Sequence, residues 1–115
     1  KTTSVTLTAA EILGGMITGN QGAAGAAAYT LPLATDLDTA LVAIYPGLAT
    51  GDSFYFSVLN LSVVDAEDIT VTTNTGWTLS GDMVVHAGST TTFPRAGLFL
   101  ARKTGSGTYT LHRAG

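Results

Sequence analysis

The stretch Gly51-Asp52-Ser53-Phe54-Tyr55-Phe56-Ser57-Val58-Leu59-Asn60 decides the fold class. Gly-Asp opens a turn. Beyond it Phe54, Phe56 and Val58 fall on one side of an extended strand, with Tyr55, Ser57 and Leu59 on the other. Aromatic and β-branched residues at period two suit a pleated, half-buried surface, and no other window is as rich in large apolar side chains. It reads as the central strand of a β-rich domain.

Downstream, Leu61–Glu67 is a loop carrying several apolar residues, and Asp68–Thr73 is an alternating strand with a threonine face. Asn74-Thr75-Gly76 reads as a hairpin-type turn into a strand at Trp77–Ser80, and Gly81-Asp82 as a second turn into Met83–His86. Ser89–Phe93 is threonine-rich and ends at Pro94. Gly97–Arg102 and Thr108–Arg113 form a last hairpin across Thr104–Gly107. Upstream, Thr8-Ala9-Ala10-Glu11 fits a capping box, and Gly14-Gly15 stops the short helix that follows. Met16–Thr18 is a short strand, and Gly19–Ala28 is almost entirely small residues. It lacks the Gly-Lys-Ser/Thr of a phosphate loop, so a connection or a site of close backbone approach is the better account. Ala28–Leu31 is a strand ended by Pro32. Thr35-Asp36-Leu37-Asp38 starts a second helix with both acids as capping residues, Leu37, Leu41 and Ile44 as its narrow apolar face, and Pro46-Gly47 as its end.

Short strands with turn signals about every eight to twelve residues argue an all-β, mainly antiparallel sandwich or jelly-roll-like barrel, with one or two short helices. Residues 1–7 read as an N-terminal arm and 8–115 as the single sandwich domain. At 115 residues the chain holds one core, not two.

Composition limits function. Only 11% of residues are charged, less than half the roughly 25% usual for soluble chains, and Thr, Ala and Gly take their place. Such a surface is poorly defended against association, which favours burial in a partner. The five basic residues are scattered and the net charge is −3, so the basic patch that nucleic-acid binding needs is missing. Without cysteine, disulfides and thiol chemistry are excluded. No apolar run approaches the roughly 18 residues of a membrane helix. Asp65, Glu67 and Asp68 read as a solvated loop, since they lack the spacing of a calcium cage.

His86 and His112 end strands and read as structural. There is no Gly-x-Ser-x-Gly elbow. Trp77 and Tyr109 are the rings that could stack on a sugar, although Trp77 reads more simply as core. No catalytic, cofactor or metal set emerges, so the expectation is a non-enzymatic structural or interaction module.

The order of motifs adds a resemblance. Thr8–Gly15 (Thr-Ala-Ala-Glu-Ile-Leu-Gly-Gly), Tyr29–Pro32 (Tyr-Thr-Leu-Pro), Gly51–Asn60, Thr75–Gly81 and Gly105–Leu111 together resemble the small, cysteine-free, β-rich virion proteins of tailed bacteriophages, among them trimeric capsid decoration or cement proteins. That resemblance implies a homotrimer on the outer surface of the phage head, clamping the major capsid protein lattice, with no cofactor, nucleic acid or membrane as partner. The alternative is a tail-fibre or receptor-binding tip domain recognising host glycan or protein. Expected partner contacts are Thr2, Thr3, Val5 and Leu7 on the arm, mobile in the free protein, and Phe93, Leu98 and Phe99 at the trimer interface.

Overall fold

The computed structural model describes residues 1–22, 25–88 and 95–115. Along the chain run β1 (Val5–Thr6), α1 (Ala9–Leu13), β2 (Met16–Gly19), β3 (Ala27–Thr30), α2 (Ala34–Ile44), β4 (Ser53–Asn60), β5 (Ile69–Thr72), β6 (Trp77–Ser80), β7 (Val84–Val85), β8 (Arg95–Gly105) and β9 (Thr108–Arg113). They build a four-stranded sheet, β1-β3-β5-β7, and a five-stranded sheet, β2-β4-β8-β9-β6.

The antiparallel sandwich or jelly-roll-like barrel expected above is not what forms. This is an α/β domain of two mixed sheets. Four pairings, β1 with β3, β2 with β4, β3 with β5 and β6 with β9, are parallel. Among the described residues only β4 with β8, β5 with β7 and β8 with β9 are antiparallel. The cause lies in the route of the chain. It changes sheets at each step from β1 through β8, and only β8 and β9 are consecutive neighbours. The pairs β1–β3, β2–β4 and β3–β5 each join strands separated by one passage through the other sheet and run parallel, the relation a crossover gives, whereas β7 returns beside β5 antiparallel.

Two expected hairpin turns are therefore corners between sheets. Asn74-Thr75-Gly76 carries the chain from β5 to β6, and Gly81-Asp82 carries it from β6 to β7. Both glycines take positive φ, as the turn reading required. A turn signal specifies that the chain bends; it does not specify which sheet receives the next strand.

One core lies between the sheets. Phe56 and Val58 of β4, Phe99 and Ala101 of β8, and Tyr109 and Leu111 of β9 meet Tyr29, Ile69 and Val71 of the other sheet. Phe56 stacks on Phe99 with centroids 5.6 Å apart. Asn60 is fully buried at the end of β4. Its Nδ2 donates to the Glu67 and Val85 carbonyls, and its Oδ1 accepts from the Ser62 amide, so one side chain ties β4 to the loop and strand that follow.

Helix α1 starts as its sequence requires. The Thr8 hydroxyl accepts from the Glu11 amide, and the Glu11 carboxylate accepts from the Thr8 amide, closing the capping box. Helix α2 departs from its reading. It begins at Ala34, the residue at N-cap is Leu33, and no side chain caps it. The Ala34 amide is satisfied by the Thr75 carbonyl of the β5–β6 corner instead. Leu37 and Leu41 are buried, but Ile44 is exposed.

Residues 1–7 lie along their own domain. β1 pairs with β3, Leu7 enters the core, and the Lys1 carbonyl accepts from Asn20 while its ammonium reaches the Thr18 carbonyl. Lys1 also forms an ion pair with Glu11.

Candidate functional site

Three features of the described residues stand out: a buried polar clamp, an apolar sheet face, and a groove beside the end of α2. The clamp is centred on Asp38. Its Oδ1 accepts from Lys103 Nζ and from the Tyr109 hydroxyl at 2.7 Å, and its Oδ2 accepts from the Gly107 amide at 3.2 Å. Burial alone would raise the Asp38 pKa, but these hydrogen bonds and the Lys103 charge outweigh it, and the carboxyl lies below its ordinary value. Burial, then the adjacent carboxylate, pushes the Tyr109 phenol well up. The expected role of Asp38 as a capping acid is thus corrected: its side chain joins α2 to the β8–β9 hairpin. The overlooked signal was Lys103 itself. It occupies the inward phase of β8 after Gly97, Phe99 and Ala101, where a lysine requires a buried partner.

The second feature is the outer face of the five-stranded sheet. Register places Met16 of β2, Ser57 of β4 and Leu98 of β8 in one row, with Thr18, Leu59 and Ala96 in the next. Tyr55 pairs with Leu100 in a third. Met16, Tyr55 and Leu98 are 62%, 59% and 40% exposed. Leu61 and Val63, just beyond β4 in the chain, are also exposed. No charged residue interrupts these three rows; Arg102 lies one row beyond, opposite Ser53. The outer face of the other sheet is different. There Thr30 and Thr72 share a 2.8 Å hydrogen bond, with Thr6 and Thr70 on the same face. One outer face is hydroxylated and the other apolar.

Of the expected contact residues, Thr2 and Thr3 are exposed and Val5 is half-buried. Leu98 lies on the apolar face, while Leu7 and Phe99 are 1% and 0% exposed and belong to the chain's own core. Leu98 and Phe99 had been grouped, yet neighbours in a strand point to opposite faces. Phe93 lies outside the described residues. Sequence reasoning missed Met16, Tyr55, Leu59 and Leu100, although each occupies the outward phase of its strand.

Trp77 is buried, donates from Nε1 to the Pro32 carbonyl at 2.8 Å, and packs 5.5 Å from the Tyr109 ring. Neither ring is free to stack on a sugar. Trp77 emission should accordingly be blue-shifted and unchanged by added glycans; a solvent-exposed spectrum that responds to glycan would contradict this placement. The acidic loop is also not simply solvated. Asp68 accepts from the Ala87 amide at 2.9 Å and meets His86 Nδ1 at 3.1 Å, and Glu67 is buried. His112 sits on the outer face of the five-stranded sheet, opposite Leu100, whereas His86 follows β7 of the four-stranded sheet, so the histidines do not converge. Among the described residues no group of three or more His, Asp or Glu gathers as a metal-ligand set, and no helix is long and apolar enough to cross a membrane.

No protein-family model, curated protein or solved structure matches this chain.

Proposed function

We propose that this chain is a non-catalytic virion module, a capsid decoration protein of a tailed bacteriophage that self-associates, as a trimer, and seats on the major capsid protein lattice. The observation that supports it is the asymmetry of the two sheets: a threonine-bearing face suited to water, and an uncharged face carrying Met16, Tyr55, Leu59, Leu98 and Leu100. Burying that face against copies and lattice releases free energy at about 25 cal/mol per Å² of apolar area. A patch three strands wide and about six residues long covers roughly 200–300 Å². That is well short of the roughly 800 Å² per partner of a stable two-body contact. One such patch makes a weak contact by itself, and the several copies carried by an oligomer would bind a repeating lattice by avidity. The order of sequence motifs points the same way.

Leu98→Glu tests the reading. Leu98 is a surface position, so stability should change by less than about 1 kcal/mol. Sedimentation at micromolar concentration should show the wild type associating and the variant not. On heads stripped of minor proteins, imaging should show wild-type protein bound stoichiometrically on the outside, with the variant at least about tenfold weaker. A wild-type protomer that stays single and ignores the heads overturns the proposal. Binding to host cells instead would favour a tail-tip role.

A further inference from the structure

Away from the apolar sheet face, a groove of about 460 Å³ opens between the C-terminal end of α2, the turn after it, and the start of β4. Leu48, Phe54 and Tyr109 line it, and Ile44 and Tyr45, 56% and 62% exposed, stand at its rim. The volume falls in the range of ligand sites, and the lining is largely apolar. Three observations define what fits.

The first is charge. Among the described residues Asp52 is the single charged one lining the groove. Its Oδ2 accepts from the Ala49 amide at 2.8 Å, and its Oδ1 has no partner among the described residues. The nearest lysine is already neutralised, because Lys103 is held by Asp38. Arg102 lies beside Gly51 at the same turn but forms no ion pair with Asp52 among the described residues. The second is shape of contact. A positive group on a long aliphatic stem would lay the stem along Leu48 and Phe54 and bring its head to the carboxylate. The third is the rim. Ile44 and Tyr45 line the groove yet stay more than half exposed, so a chain crossing the mouth would cover more of them than a molecule held inside it.

We propose that this groove receives an arginine or lysine side chain, flanked by apolar residues, from a segment of another protein. The site is independent of the sheet face used for the virion reading: Phe54 and Tyr55 are neighbours in β4 and point to opposite sides.

The probes are three capped pentapeptides, Ala-Leu-Arg-Leu-Ala and its versions with citrulline or glutamate in place of arginine. Each is titrated at low salt into the isotope-labelled full chain while amide shifts are followed. The arginine peptide should move the amides of residues 44–54 selectively, with citrulline about three- to fivefold weaker and glutamate weaker still. Asp52→Asn should erase the preference for arginine. Because that variant could disturb its own turn, Tyr45→Ser provides a second arm at an exposed rim position. It should weaken the arginine and citrulline peptides alike. Equal affinity for all three peptides, shifts elsewhere, or an unchanged preference in Asp52→Asn overturns the proposal. So does tighter binding of n-octylamine than of the peptide, which would make the groove a small-amine site. Concentration-dependent shifts of the same amides without peptide would give it to a second copy, and equally overturn it.

Discussion

Replacing Asp38 by alanine should lower the unfolding free energy by about 2–4 kcal/mol, read from urea denaturation. Removing one member of a buried ion pair leaves the other charge uncompensated, and the Lys103 and Asp38 side chains are only 9% and 18% exposed. The variant also strips a partner from the Tyr109 hydroxyl and the Gly107 amide. Replacing both ions, Asp38→Leu with Lys103→Met, should recover most of the loss, because two desolvated charges are exchanged for apolar contact. A single-variant loss under about 1 kcal/mol would mean that Lys103 swings into water and the clamp is dispensable.

The same group sets a pH dependence. The folded-state pKa of Asp38 lies below its ordinary value of 3.8, with hydrogen bonds from Lys103, Tyr109 and Gly107 overcoming the opposing effect of burial. A depressed folded pKa gives stability that is fully present above the unfolded value and is lost as pH falls through the folded one. The stability gap between wild type and Asp38→Asn should stay level through neutral pH and shrink below about pH 4. A gap that instead shrinks toward alkaline pH would show that the Asp38 carboxyl does not control it.

Gly19→Ala should cost about 3 kcal/mol or more, at the upper end of overpacking. A Cβ built there would sit 2.1 Å from the Tyr29 hydroxyl oxygen and 2.7 Å from Ile69 Cδ1. Both side chains are fully buried, so neither moves without displacing the core. Tyr29 is further held by a hydrogen bond from Gln21 Nε2 at 3.4 Å. Adding Tyr29→Phe removes the closest atom and should return part of the loss. A thermal midpoint for Gly19→Ala within about a degree of wild type would show that the two sheets separate easily at this end.

How much was legible follows from what each signal encodes. Period-two alternation placed β4, β5 and the β8–β9 hairpin, and the capping box placed the start of α1, because these depend on residues near one another in the chain. The second helix was legible in extent but not at its N-terminus, where the Thr75 carbonyl takes the place of the expected side-chain cap. Of the neighbours Leu98 and Phe99, both expected at a trimer interface, the strand's own alternation turns only Leu98 outward and sends Phe99 into the core.

By itself the sequence determined where most strands lie and how their side chains alternate, the places where the chain bends, and a composition poor in charge, since each is written in neighbouring residues. Only the tertiary structure decided that the bends at Gly76 and Gly81 cross between sheets, and that four pairings run parallel. It also joined Asp38 to a lysine 65 positions away, and set Met16 beside Ser57 and Leu98 on one uncharged face. The physical reason is the same in each case. Pairing partners are chosen by how the whole core packs, and no local pattern records which distant strand will fill the next place in a sheet.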